Sequence, residues 1–257
     1  MGEDLSAKML QKYFNRYELK YRLSIPERDN VISNITPFME LDPHITKGYK
    51  NYEVRSIYFD SPLKRAYFEK IYGIKIRVKL RIRYYPNFQV SEKELVFIEL
   101  KRKMNENVSK SRVLVPFEDA FDIIDSHTQK AKKFYETASK EDKQNLNDVW
   151  YLYNRYNLKP VCLVWYQRSP YISKIEKGRF RITFDTNVRV RNYNFDLHTG
   201  GTGGNYVVPP ILSIMEIKFT SFIPAWAVHI IQQNNVIQEK MSKFASGLET
   251  VKILSVF

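Results

Sequence analysis

The segment Lys75-Ile76-Arg77-Val78-Lys79-Leu80-Arg81-Ile82-Arg83-Tyr84 alternates basic and apolar residues without a break. A period of two marks a strand, because successive side chains leave opposite faces. Lys75, Arg77, Lys79, Arg81 and Arg83 then share one face, along a row of about 27 Å. Adjacent unit charges at that spacing repel by about 0.6 kcal/mol in water and about 2.5 kcal/mol at an effective dielectric constant of 20. Inside a cavity, such a row calls for anions. The other face, Ile76, Val78, Leu80 and Ile82, is apolar and calls for a packed layer over it.

The same habit recurs along the chain. Glu18 with Lys20, Glu99 with Lys101 and Lys103, Arg179 with Arg181, and Glu216 with Lys218 place ionic residues at alternate positions of apolar strands. Period-two segments run over Arg16–Leu23, Tyr52–Asp60, Lys75–Tyr84, Leu95–Met104, Lys110–Val115, Pro160–Tyr171, Arg179–Thr186 and Ile211–Thr220. One charged strand is simply a solvated face. Repetition favours a closed sheet whose ionic faces converge inside and whose apolar faces are covered by helices, an inverted barrel or tunnel lined with charge.

Helical patterns fall at Leu5–Phe14, Pro26–Phe38 with Ser24 as cap, Leu63–Ile71, Thr128–Ser139, Lys140–Tyr156, Pro224–Ile231 and Val236–Gly247. No repeat or long Pro, Gly or Ser linker divides the chain, so residues 1–257 read as a single domain.

Composition narrows the function classes. The 257 residues carry 41 Lys and Arg against 28 Asp and Glu, a net charge of +13 that favours a polyanionic partner. With 44% hydrophobic residues, 9 Gly and 11 Pro, the chain is neither disordered nor collagenous. One cysteine, Cys162, excludes a disulfide framework and a thiolate metal cluster, and fits a reducing compartment. No apolar run reaches the roughly 18 residues of a membrane span and no signal-peptide core opens the chain, so a cytoplasmic protein is expected. Zinc-finger, RNP and helix-turn-helix patterns are missing, which argues against nucleic acid. The aromatics, Tyr58, Phe59, Tyr67, Phe68, Phe134 and Tyr135 among them, sit at core-like periods and read as packing. His44, His127, His198 and His229 fall in loops or helices and read as structural or solvated. The run Gly200-Gly201-Thr202-Gly203-Gly204 lacks a following Gly-Lys-Ser or Gly-Lys-Thr and reads as a hairpin connection rather than a phosphate cradle.

Eight segments carry a family resemblance: Tyr17-Glu18-Leu19-Lys20-Tyr21, Arg55 to Asp60, Leu80-Arg81-Ile82-Arg83-Tyr84, Glu99-Leu100-Lys101-Arg102-Lys103, Tyr166-Gln167-Arg168, Arg181 to Asp185, Met215-Glu216-Ile217-Lys218 and Ser242-Lys243-Phe244. In this order they resemble the VTC domain, the polyphosphate polymerase branch of the triphosphate tunnel metalloenzyme (CYTH-like) superfamily. The resemblance implies an α+β fold, an antiparallel eight-stranded β-barrel tunnel with a charged interior and helices packed outside, that binds triphosphate and polyphosphate within. Lys20, Arg81, Arg83, Lys101, Arg168 and Arg181 fall where such domains place phosphate-binding cations that serve catalysis. Glu216 falls at the metal carboxylate, and Ser242 with Lys243 at phosphate contacts near the tunnel mouth. Lys79, Lys103, Lys110, Arg112 and Lys218 are further expected substrate-lining residues.

Glu18 and Glu99 are the other inward carboxylates, hard oxygen ligands suited with Glu216 to Mg²⁺ or Mn²⁺. The superfamily's Glu-x-Glu-x-Lys signature reads Arg16-x-Glu18-x-Lys20 here, one carboxylate fewer, which favours polymer binding over two-metal hydrolysis. The expected activity is transfer of the γ-phosphoryl group of ATP to a polyphosphate chain, with ATP and polyphosphate or pyrophosphate as partners. The competing readings are a triphosphatase and a non-catalytic polyphosphate-binding module. A membrane-associated partner is compatible with either.

Overall fold

The computed structural model describes residues 16–43, 49–86, 94–176, 178–200, 203–234 and 236–252. The helix expected over Leu5–Phe14, His44, Gly201 and Thr202 lie outside the described residues.

Among the described residues, ten strands form one antiparallel sheet: β1 (Tyr17–Ser24), β2 (Met39–Leu41), β3 (Tyr52–Asp60), β4 (Ile76–Tyr84), β5 (Leu95–Met104), β6 (Asn107–Pro116), β7 (Lys159–Ser173), β8 (Phe180–Arg191), β9 (Asn205–Tyr206) and β10 (Leu212–Phe219). Eight of them follow one another in the order β1-β10-β8-β7-β3-β4-β5-β6, while β2 pairs with β7 and β9 with β8. The expected eight strands are thus present, with two short additions that carry too few residues to show a period.

Closure differs from the expected barrel. No ladder joins β1 to β6 among the described residues. Their edges approach through Val108 N–H, which donates to the Arg16 carbonyl at 2.9 Å. The ion pair of Lys101 with Glu18, also 2.9 Å, ties β5 to β1. A seam edged by inward charges resists a regular ladder, as charged sheet edges do elsewhere.

Alternation sends each strand's apolar residues to packed layers. On the outer face of β3 to β6, Ile57, Phe59, Leu80, Ile82, Ile98, Leu100 and Val113 pack under α3 (Ala120–Ile123) and α5 (Lys140–Arg155), with α4 (Gln129–Thr137) alongside. Coverage begins at Val78, which is partly buried, and is complete at Leu80, whereas Ile76 at the start of β4 is 65% exposed, contrary to the expected uniformly covered face. On the outer face of β1, β8 and β10, Leu23, Phe180, Ile182, Phe184, Met215 and Ile217 pack against α1 (Ile25–Ile35) and α6 (Ala225–Gln233). Ser24 opens α1 through a capping box with Glu27, as its spacing requires.

One helix departs from the expected outer layer. In α7 (Lys243–Thr250), Phe244, Ala245 and Leu248 pack with Val54, Tyr58, Val164, Tyr166 and Val190. Tyr58 and Tyr166 also line the interior cavity. An apolar helix therefore fills part of the barrel interior, and α2 (Arg65–Ile71) covers it through Ala66 and Tyr67. The helix read over Val236–Gly247 begins only at Lys243. Before it, Glu239 N–H donates to the Lys20 carbonyl at 2.8 Å and Gln238 bridges Tyr21, so the open edge of β1 holds this stretch extended. Ser242 then caps α7, accepting from Ala245 N–H.

Gly204 marks the point where the glycine run meets the sheet. Its φ is +71°, and an added Cβ would lie 2.6 Å from the Val190 carbonyl oxygen and 2.5 Å from the Trp165 ring. Gly204→Ala is expected to lower stability by at least about 1 kcal/mol, read from the urea midpoint. A midpoint equal to wild type would contradict this close approach.

Candidate functional site

Inward-facing residues of the eight strands line a cavity of about 1970 Å³. Among the described residues, nineteen Lys and Arg side chains and six Asp and Glu line it, so a large share of the chain's positive charge is focused on one interior surface. Lys75, Arg77, Lys79, Arg81 and Arg83 all contribute, as period two on β4 demands. Lys20, Lys101, Lys103, Lys110, Arg112, Arg168, Arg181, Lys218, Ser242 and Lys243 also line it. All of the sequence-derived cations thus share one cavity. His127, His198 and His229 are not in its lining.

Two carboxylate-centred clusters organise these cations. Around Glu216, Lys243 Nζ reaches Oε1 at 2.6 Å, while Lys218 Nζ and Arg168 Nη2 reach Oε2 at 2.8 and 3.0 Å. Asp185, fully buried, accepts from Arg168 through both oxygens at 2.6 and 2.7 Å and pairs with Lys243 at 2.6 Å. Arg168 and Lys243 are therefore each held between two acids, in fixed geometry before any substrate arrives. Glu18 joins this group from β1, pairing with Lys20 at 3.0 Å and Lys101 at 2.9 Å.

The second cluster surrounds Glu99. Arg81 approaches it at 2.6 Å, Lys110 at 2.9 Å and Arg83 at 3.8 Å. Tyrosine and serine hydroxyls hold the far sides of the two guanidinium groups. Arg81 donates to Tyr58 at 3.1 Å and Arg83 to Ser56 at 3.1 Å, with Tyr85 and Tyr166 each 3.5 Å from Arg83. Arg181 pairs with Asp42 at 2.8 Å and Lys103 with Glu106 at 3.0 Å. Arg112 lies over the Phe97 ring at 4.9 Å.

The three carboxylates expected to share a metal divide between the clusters. Glu18 and Glu216 are close enough for each charge to disfavour the other, whereas Glu99 sits beneath Arg81 and Lys110. No set of three His, Cys, Asp or Glu residues suited to a metal occurs among the described residues.

Residues that the sequence did not single out are also here. Asp185 has Thr183 and Asn187 two positions away on its own strand, so no charge at period two marks it. Tyr58 reads as core because an aromatic at period two fits either face, and Tyr166 stands in the resembling Tyr166-Gln167-Arg168 segment with no role assigned to it. Inward direction follows from register and period: Tyr58 lies opposite Arg81, Asp185 opposite Arg168, and Tyr166 two residues before Arg168 on the same face of β7.

Burial alone would push every one of these carboxyls up, yet each lies below its ordinary value. For Glu18 the opposing cations are Lys101 and Lys20; for Glu99 they are Arg81, Arg83 and Lys110. For Glu216 they are Lys218, Lys243 and Arg168, and for Asp185 they are Arg168 and Lys243. Folded-state values below the ordinary 4.5 and 3.8 mean stability that is complete above those values and lost as pH falls through the folded ones. Unfolding titrations at pH 7, 5 and 3.5 should show a midpoint steady between the first two and sharply lower at the third. A flat profile would contradict the pairing.

A family model for the VTC domain matches residues 15–252. No curated protein matches by sequence. Among solved structures, a candidate adenylyl cyclase from Hippeastrum, described as having a dominant triphosphatase activity, is 13% identical, with 92% of this chain and 95% of that chain covered at a TM-score of 0.48. A candidate adenylate cyclase from Vibrio parahaemolyticus is 11% identical, with 90% and 97% covered at a TM-score of 0.44. With the family model spanning nearly all described residues, and its strands carrying the charged interior, the chain belongs to the VTC domain family.

Proposed function

We propose that the protein transfers the γ-phosphoryl group of ATP to the end of an inorganic polyphosphate or pyrophosphate chain held in the cavity. The observation that carries this reading is the enclosed surface with nineteen cations and few carboxylates, most of those already paired. Phosphoryl transfer is chiefly positioning and charge stabilisation, which such a surface supplies.

In the transfer, the bond between Pγ and the oxygen bridging to Pβ breaks and leaves ADP. A terminal oxygen of the acceptor chain forms the new bond to Pγ. That oxygen is already anionic, so no general base is needed. Arg81, Arg83, Lys101 and Lys79 would line up the chain, while Arg168, Lys218 and Lys243 meet charge developing near Glu216.

Glu216 and Glu18 fit Mg²⁺ or Mn²⁺ by donor chemistry, since magnesium commonly takes one or two carboxylates and completes its shell with substrate phosphates and water. When bound there, the ion would offset charge on the phosphate oxygens. Glu99, enclosed by Arg81 and Lys110, serves better to position those cations.

The test is ADP release from ATP with Mn²⁺ or Mg²⁺, with and without a short polyphosphate primer. Primer-stimulated ADP without matching free phosphate supports transfer. ADP with equal free phosphate regardless of primer would make the protein a triphosphatase. No ADP while polyphosphate still binds would make it a binding module.

A further inference from the structure

Seven aromatic side chains line the cavity among the described residues, and five of them are committed elsewhere. Tyr58, Tyr166 and Phe244 are buried in the packing around α7, with the two hydroxyls at Arg81 and Arg83. Tyr17 and Phe219 stack on each other with ring centres 5.3 Å apart, Phe219 leaning on the outer layer. That leaves Tyr52 and Tyr85, both partly buried, with ring centres 5.8 Å apart at an angle of 66°. Tyr85 presents its ring to Arg83 and meets Phe97 edge-on. Tyr52 makes its ring contact with Tyr85, and among the described residues its hydroxyl has no hydrogen-bond partner.

An open aromatic ring is out of place on a surface that holds only phosphate. Its face carries the negative part of the ring quadrupole, so it repels anions and attracts cations or another π system. The position of Tyr52 gives this a meaning. Tyr52 stands opposite Arg168, Arg168 opposite Asp185, and β10 with Glu216 comes next in the strand order. Three strand spacings, about 14 Å along the wall, therefore separate Tyr52 from the strand of Glu216. That span is comparable with the reach of a nucleoside triphosphate from its γ-phosphate to its base. Ile172, on the same face of β7 as Arg168, adds apolar surface to the lining.

We propose that Tyr52 stacks against the base of a nucleoside triphosphate whose phosphates run past Arg168 towards Glu216. This deepens the reading of the cavity as a site for ATP and rests on it. The stack distinguishes the donor nucleotide from the acceptor chain. The two are alike in their phosphates, but a polyphosphate has no π face to offer. Stacking reads the face of a base rather than its edge, so the larger face of a purine is favoured over that of a pyrimidine.

The experiment is calorimetric titration with ATP, methyl triphosphate and tripolyphosphate. Methyl triphosphate has the phosphates and the charge of ATP without ribose or base. Wild type should bind ATP at least about tenfold more tightly than methyl triphosphate, the range of one stacked base. Tyr52→Leu keeps apolar bulk but removes the ring. It should bring ATP to within about threefold of methyl triphosphate, with methyl triphosphate and tripolyphosphate changed by less than about twofold. Tyr52→Phe keeps the ring and should keep the wild-type preference. As a second readout, the fluorescence of 2-aminopurine riboside triphosphate should be quenched on binding to wild type and Tyr52→Phe, and much less on binding to Tyr52→Leu.

Equal affinity of wild type for ATP and methyl triphosphate would overturn the proposal and leave phosphate binding standing. So would a wild-type gap that persists in Tyr52→Leu, or equal weakening of both probes in that variant. If the melting temperature shows Tyr52→Leu to be unfolded, the wild-type comparison and the quenching with Tyr52→Phe decide alone. If wild type binds none of the three probes, the cavity reading itself fails, which is a different result.

Discussion

Arg168→Ala is expected to lower the free energy of unfolding by about 3–5 kcal/mol, the usual consequence of leaving a buried charge without its partner. Arg168 exposes only 10% of its side chain and grips a fully buried Asp185 with both ends of its guanidinium. It also holds Glu216 from β10, so one side chain joins three strands of the interior. Removing it leaves two buried carboxylates to share Lys243, with Lys218 on Glu216. Arg168→Lys should recover part of the loss, since it keeps the charge but not the paired hydrogen bonds. Urea unfolding at pH 7 measures both. A loss under about 1 kcal/mol in the alanine variant would mean that the cluster does not depend on Arg168.

Glu216→Ala should have the largest effect on turnover, a fall of at least about a hundredfold, the upper range for groups that support a metal site. Its effect on binding should be opposite in sense. Lys243, Lys218 and Arg168 all lose an acid partner, so the cavity becomes more cationic and tripolyphosphate affinity should hold or rise. Arg168 and Lys243 retain Asp185, which keeps them in place. Paired measurements of ADP formation and tripolyphosphate binding separate the two effects. Turnover within threefold of wild type would remove Glu216 from the chemistry.

The split between binding and turnover matters because the cavity charge serves both. Lys218 illustrates how finely it is balanced: burial lowers it to about 8 despite Glu216 at 2.8 Å. Between that value and its ordinary 10.5, the folded protein has released a proton that the unfolded chain still holds. This group's contribution to stability therefore rises with pH across that interval, the same sign as the carboxylates' contribution but in an alkaline rather than an acid window.

Much of this arrangement is legible in the sequence because charge at period two is an unusual demand. The row from Lys75 to Arg83 needed both a cavity and an outer apolar layer, and the strand order supplies both. Glu18, Lys20, Glu216 and Lys218 were found by the same rule, and β1 and β10 do pair with Lys20 opposite Glu216. What pattern could not reach depends on partners distant in sequence. Asp185 acquires its importance only from Arg168 and Lys243. Tyr58 is apolar in period but polar in role, through its hydroxyl beside Arg81.

The stretch before α7 looked helical, yet it spends its hydrogen bonds on β1. The placement of α7 was equally hidden. Its Phe244, Ala245 and Leu248 face is an ordinary amphipathic stripe, and nothing local tells whether such a stripe meets the outside of a sheet or its inside. Gly247 offers the structural reason it fits: an added Cβ would come 3.2 Å from Val190 and 3.6 Å from Val164. Close approach of helix to strand, rather than helix propensity, fixes that position.

The most direct test of the central claim follows the γ-phosphate itself. Purified protein is incubated with γ-labelled ATP, Mn²⁺ and a short unlabelled polyphosphate primer, and the products are separated by size on a gel beside Glu216→Ala. Label in chains longer than the primer, lost in the variant, is the predicted result. Label found only in free phosphate, or chains no longer than the primer, would contradict phosphoryl transfer to polyphosphate.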